Sequence, residues 1–290
     1  MHTRHLQKSL FASALVLLLF ALFLQQSSGA LKCYNWYFKK NEEHRQPPLD
    51  SELRIIDRYG AYYLDRSASD SDRVLYLTFD AGYENGNVEK IVDALNAKGV
   101  PGAFFVLSHL AKANAPLLQK MAQSGHTVCN HTANHKDMTT CENADAFAAE
   151  LSALERDCAA IGVEVARYYR PPQGRFCEKN LAWAKQLGYA TIFWSFAYSD
   201  WENDKQPDPA AAMKNILDHT HPGAVILLHP TSATNAEILP QLLEKWQAQG
   251  YRFGTLDELV ARERAKQEKE ANEPQSNYRT KKQPPAKEAG

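Results

Sequence analysis

No Cys-x-x-Cys pair occurs in this chain, and its five cysteines (Cys33, Cys129, Cys141, Cys158, Cys177) are odd in number. That spacing predicts neither a thiolate zinc site nor a disulfide framework. Cys129 and Cys158 sit in apolar patterns and read as core residues. No Gly-x-Gly-x-x-Gly or Walker-type loop follows any strand-like run, which argues against a nucleotide site. Charge of one sign is also missing: the formal net charge is −1, so nothing electrostatic points to nucleic acid. A long apolar span is absent as well. The run Leu10 to Leu24, about fifteen residues, is short for a membrane crossing.

That run belongs to an export signal. Arg4 and Lys8 form a basic head, and Ser28-Gly29-Ala30 a small-residue cleavage site. Residues 1–30 are therefore expected to be a signal peptide or an N-terminal anchor, and the working part to lie outside the cytoplasm, on the cell-wall side. Residues 31–72 form a poorly periodic lead-in with a short helical pattern over Ser51 to Tyr59. Beyond Arg264 the composition turns to Lys, Glu, Gln and Pro, so 265–290 reads as a disordered charged tail. Between them, 73–264 is the expected catalytic domain.

Within 73–264 apolar runs recur at Val74–Phe79, Gly102–Val106, Thr127–Cys129, Ala166–Tyr169, Ala190–Trp194, Ala224–Leu228 and Tyr251–Phe253. Amphipathic segments separate them, and Gly99, Gly125, Gly162, Gly188 and Gly250 each stand just past one. Strand-then-helix units in series predict an α/β fold with about seven parallel strands, closed into a distorted (β/α) barrel or left as an open doubly wound sheet.

The polar residues fall where strands end, which is where such folds assemble active sites. Asp80 closes the first run, in VLYLTFDAGYENG. His131 and His135 follow the third; at i, i+4 on a helix they would share one face and could hold a divalent metal. Arg170 follows the fourth, where it could pair with Asp80 and keep it ionised. The Pro171-Pro172 turn after it could present the backbone N–H of Gln173 to an oxyanion. Asp200 comes after the fifth run, placed to orient His229 at the end of the sixth as a general acid. Tyr83, Trp194 and Trp201 offer flat faces for a sugar ring, with core packing the alternative for Trp194. The set points to metal-assisted hydrolysis of an acyl bond.

These stretches resemble the polysaccharide deacetylase family (NodB-homology, carbohydrate esterase group). LTFDAG, NHTANH, RPPQG, SDW and ILLH match its five motifs in order. NWYFKKN, RYGAYYL, FWSFAYSDW and HPGAVILLHPTSATNAEIL are similar to the branch that deacetylates N-acetylmuramic acid on the route to muramic delta-lactam in spore cortex. The resemblance covers roughly Asn35 to Arg262. It implies the NodB-homology fold, Asp80 as base, His131 and His135 as ligands of a divalent metal (zinc), Arg170 as tether of the base, and Asp200 supporting His229 as acid. Peptidoglycan glycan strands are the implied partner; no nucleic acid or protein partner is inferred. Where the family usually carries a second, metal-ligating Asp, this chain has Ala81. The metal is therefore expected to be weakly held, its shell completed by Asp80, Glu84, Asn85 or water. A deacetylase of another N-acetylated glycan, such as chitin, and a non-catalytic wall-binding protein are the competing readings.

Overall fold

The computed structural model describes residues 32–40 and 43–272. The expected signal or anchor over 1–30, and residues 273–290 of the expected tail, lie outside these residues. Among the described residues, no helix is long and apolar enough to cross a membrane.

The strands in chain order are β1 (Cys33–Asn35), β2 (Ala61–Tyr62), β3 (Val74–Ala81), β4 (Ala103–Val106), β5 (Thr127–Asn130), β6 (Ala166–Tyr169), β7 (Arg175–Cys177), β8 (Ala190–Ile192), β9 (Ala224–Leu228) and β10 (Arg252–Phe253). The α-helices are α1 (Val88–Lys98), α2 (Ser108–Ala113), α3 (Ala115–Gln123), α4 (Ala144–Ala159), α5 (Glu178–Gln186), α6 (Pro209–Asp218), α7 (Ala233–Ala248) and α8 (Leu256–Asn272).

All seven apolar runs are strands of one sheet. Its order is β10-β3-β4-β5-β6-β8-β2, with β9 also on β3, and every pairing is parallel. The sheet curls toward closure where the segment after β8 meets β9: Ser195 N donates to Val225 O at 2.9 Å, and Leu227 N to Phe196 O at 2.9 Å. The fold is thus a distorted parallel barrel wrapped by helices. Parallel strands buried on both faces carry apolar residues at nearly every position, which is why they stand out in the sequence.

Alternation along β3 decides where chemistry can sit. Leu75, Leu77, Phe79 and Ala81 pack outward into one core with Val88, Ile91, Val92 and Leu95 of α1 and with α7. Val74 and Tyr76 face inward, with Phe105, Cys129, Ile192, Val225 and the α8 residues Leu256, Leu259 and Val260 that plug the barrel's lower end. Thr78 and Asp80 continue the inward face. Ala81 points the other way and is fully buried.

Three expectations need correction. The lead-in is not separate from the barrel: its Ala61–Tyr62 is β2, paired with β8. Two residues are too few to show a period in sequence. The charged tail is helical at first, because α8 runs to Asn272. A disulfide does exist, joining Cys33 to Cys177 across 144 residues, and no local spacing could announce it. It clips β1 onto β7, beside the Pro-Pro turn. Trp36 completes the clip: its N donates to Gly174 O at 2.8 Å, its Nε1 donates to Trp194 O at 2.9 Å, and its ring stacks on Phe193 at 4.3 Å. A Cβ at Gly174 (φ +65°) would lie 2.9 Å from both Trp36 and Trp194, so only glycine fits there.

Candidate active site

Because all strands of the sheet run the same way, the residues at their C-terminal ends meet at one end of the barrel. A cleft there is bounded by Asp80, Gly82 and Tyr83 after β3, Leu107 after β4, His131 and His135 after β5, and Trp201, His229 and Thr231. A larger groove lies at the opposite end around Tyr62, Tyr168 and Tyr189. Two of its tyrosines are already paired, Tyr168 with Asp257 and Tyr189 with Glu155 and Asn130. None of the strand-end residues named above lines it.

The first dyad is Arg170 with Asp80. Arg170 is fully buried; its Nη1 donates to Asp80 Oδ1 at 2.7 Å, its Nε to Ile192 O at 3.0 Å, and its Nη2 to Thr78 Oγ1 at 2.8 Å. Its guanidinium lies 4.1 Å from the centre of the Phe105 ring. Thr78 passes its own proton to Ile226 O at 2.8 Å, so the hydroxyl is free to accept. Burial alone would raise the Asp80 carboxyl; the charge of Arg170, with His131 and His229 farther off, outweighs it and holds the group below the ordinary carboxylate value. Asp80 is thus an ionised carboxylate in a largely dry place.

His131 is buried, and its Nδ1 lies 2.9 Å from Arg170 O. A carbonyl only accepts, so Nδ1 carries the proton. Nε2 then offers a lone pair, 3.5 Å from Asp80 Oδ2. Burial, more than any charge nearby, lowers the His131 pKa to about 4, and burial lowers that of His135 as well. The two rings lie 5.0 Å apart, edge to face. They are not on a helix: residues 131–137 are loop. Left-handed backbone at Thr132 (φ 73°) and His135 (φ 54°) folds the segment back instead, an uncommon conformation for a β-branched residue. Asn130, buried, holds that turn by accepting from Thr132 N at 2.9 Å.

Two neutral imidazoles beside an ionised carboxylate, with an unprotonated Nε2 facing Oδ2, are the donor types that a borderline divalent cation takes. The set is small. Ala81 contributes nothing, the Glu84 carboxylate accepts from the backbone N–H groups of Gly86, Val88 and Glu89 at the start of α1, and the Asn85 amide donates to Thr231 O at 2.9 Å. Among the described residues, no group of three or more His, Cys, Asp or Glu is arranged as a metal site.

The second dyad is Asp200 with His229. Asp200 is buried; its Oδ1 lies 2.7 Å from His229 Nδ1, and its Oδ2 accepts from His229 N at 2.8 Å and from Asn235 Nδ2 at 2.7 Å. Burial alone would lower the His229 imidazolium; the hydrogen bond and charge of Asp200, joined by Asp80, more than offset it, so its pKa lies above the ordinary histidine value. With Nδ1–H on Asp200, Nε2 is left to the cleft.

The two dyads thus meet at one cleft. A profile of the polysaccharide deacetylase family matches residues 67–192. The peptidoglycan-N-acetylmuramic acid deacetylase PdaA of Bacillus subtilis is 38% identical over 228 residues, 78% of this chain and 85% of that protein. The chain belongs to the polysaccharide deacetylase family. The solved structure of that PdaA, a family 4 carbohydrate esterase, superposes with a TM-score of 0.76 at 37% identity, covering 80% of this chain and 98% of the other. A family 4 carbohydrate esterase from Bacillus anthracis gives 0.65 at 33% identity, covering 81% and 100%. This polysaccharide deacetylase is accordingly a hydrolase of the family 4 carbohydrate esterase type, a polysaccharide N-deacetylase.

Eight of the ten side chains singled out in the sequence reach or support the cleft. Trp201 is 53% exposed and meets His229 edge-on, ring centres 5.7 Å apart. Tyr83 is exposed on the rim, its hydroxyl accepting from Asn203 Nδ2 at 2.6 Å. The other two lie elsewhere. Gln173 is exposed at the tip of its turn (φ 59°), outside the cleft lining. Trp194 packs between two cores, its ring 5.6 Å from the Arg170 guanidinium. Thr78 and Asn235 lie inside the matched stretches LTFDAG and HPGAVILLHPTSATNAEIL, but a Thr inside a strand and an Asn inside a helix carry no local sign of what they bond.

Proposed function

We propose that this deacetylase removes the N-acetyl group from N-acetylmuramic acid residues of exported peptidoglycan glycan strands, on the route to muramic delta-lactam in spore cortex. The observation that carries the reading is the pair of dyads at one cleft: a carboxylate paired with Arg170, and an imidazole whose protonated form Asp200 favours. Similarity to a muramic acid deacetylase over most of the chain supports the substrate.

Asp80 Oδ2, the carboxylate oxygen not taken by Arg170, receives a proton from the attacking water. The oxygen of that water adds to the acetyl carbonyl carbon. His229 Nε2–H then passes its proton to the departing nitrogen, releasing acetate and the amine. His131 and His135 would hold a divalent metal, whose contribution when bound is to polarise the acetyl carbonyl. Trp201 and Tyr83 present rings at the rim for a sugar face, and Leu107 gives the acetyl methyl an apolar neighbour.

Mass spectrometry of digested wall glycan after treatment with the protein tests this. One acetyl lost per muramic residue is expected from peptide-free strands, with little acetate from chitin oligomers. Equal release from chitin would move the substrate to N-acetylated glycans in general. No mass change with any divalent metal added would reduce the protein to a wall binder.

A further inference from the structure

Asp200 is a buried carboxylate with no Arg or Lys among its hydrogen-bonding partners in the described residues. Oδ1 accepts from His229 Nδ1, and Oδ2 accepts from His229 N and Asn235 Nδ2. One of its three donors is therefore the side chain of a residue on α7.

The amide of Asn235 can sit only one way round. Nδ2 faces Asp200 Oδ2 at 2.7 Å and His229 O at 3.1 Å, both of which only accept, so the NH2 must point there. Oδ1 receives the Tyr198 hydroxyl, and the backbone N donates to Ser232 Oγ, the N-cap of α7, at 3.1 Å. Asn235 is itself 1% exposed. It ties three things together: the carboxylate, the backbone of the residue that carbonyl belongs to, and the first turn of a sixteen-residue helix.

We propose that Asn235 is a positioning residue of the proton donor, its amide clamping Asp200 in the orientation that holds His229 Nδ1–H and leaves Nε2 to the cleft. The inference rests on the reading of His229 as the acid. A second consequence is electrostatic. A donor on Oδ2 disperses the carboxylate's charge, so Asp200 holds the imidazolium less tightly than it otherwise would, and the acid stays able to release its proton. The charged groups acting on His229 are Asp200 and Asp80, which stabilise the imidazolium, and Arg170, which opposes it. Asn235 alters only the first of these.

The test is Asn235→Ala, with Tyr198→Phe as a milder variant that loosens the amide and leaves it in place. The imidazole of His229 is titrated by NMR in the full chain, and the pH dependence of kcat/KM for acetyl release is measured alongside. Asn235→Ala should raise the His229 pKa by about one unit, carry the alkaline limb of the rate profile up with it, and lower kcat about tenfold. Tyr198→Phe should shift both the same way by less. If Asn235→Ala does not fold, Tyr198→Phe alone decides. A lower rate with the His229 titration and alkaline limb unmoved would leave Asn235 as packing only, and a downward shift would equally overturn the proposal. The NMR titration needs no substrate. An upward shift in a protein that releases no acetate from any glycan would sink the proposed function and keep the clamp.

Discussion

Asp80→Asn is expected to lower the rate of acetyl release about a thousandfold, within the range by which a positioned general base accelerates such a step. The substitution keeps the shape and removes the one carboxylate that lines the cleft among the described residues. Arg170 retains its bonds to Ile192 O and Thr78 Oγ1, so the side chains around the position have reason to stay in place. Steady-state rates on peptide-free glycan strands, with circular dichroism to show an intact fold, check the prediction. Activity within tenfold of the parent would mean that another group takes the proton from water. The inward face of β3 offers none, since the neighbouring inward side chain, Thr78, has its hydroxyl committed to Ile226 O.

Arg170→Met is expected to cost both stability and activity. Breaking a buried ion pair by deleting one partner typically destabilises a fold by about 3–5 kcal/mol, because the remaining charge is left without compensation. Here Asp80 would lose its cation, and the Ile192 carbonyl and Thr78 hydroxyl would each lose a donor. The Asp80 carboxyl, no longer held down against burial, should rise, and the acid limb of the rate profile should move to higher pH. Arg170→Lys should repair little. An ammonium has no planar fork to reach Asp80, Thr78 and Ile192 O together. Urea denaturation and the acid limb are the measurements. A variant as stable as the parent with an unmoved acid limb would remove Arg170 from its role as the tether of the base.

Much of this site was legible in sequence, for a physical reason. Parallel strands covered by helices on one side and packed against a filled interior on the other must be apolar throughout, so an abrupt Asp, His or Arg at the end of such a run stands out. The helix ends were legible too: Gly99, Gly125, Gly162, Gly188 and Gly250 all have positive φ. What sequence could not show is what depends on distant or irregular structure. The His131–His135 pair comes together through two left-handed residues and an asparagine turn, so helical spacing pointed to the right partners for the wrong geometric reason. Cys33 and Cys177 meet only because β1 crosses onto β7. Gln173 and Trp194 follow strand ends as Asp200 does, yet the Pro-Pro turn carries Gln173 out to solvent and the Trp36 clip draws Trp194 into the core. Nothing local distinguishes those three positions; the tertiary packing does.

Ala81 stands where the resemblance implies a second Asp, and its methyl group packs away from the cleft. The methyl group sits in the outward core beside Val106 and the helices, on the face of β3 opposite Asp80. On the proposed function, Asp80, His131 and His135 would be the residues to hold any cation, and Asp80 and His229 those that move protons.

That division of labour is most directly tested by the pH dependence of kcat/KM for acetyl release. The base must be ionised, and its pKa lies below the ordinary carboxylate value; the acid must be protonated, and its pKa lies above the ordinary histidine value. A broad plateau through weakly acidic and neutral pH is predicted, falling as pH rises through the His229 pKa, with the fall abolished in His229→Gln on a much lower baseline. A rate that instead climbs as pH rises through neutrality, as it would if the neutral imidazole were the working form, would contradict the account.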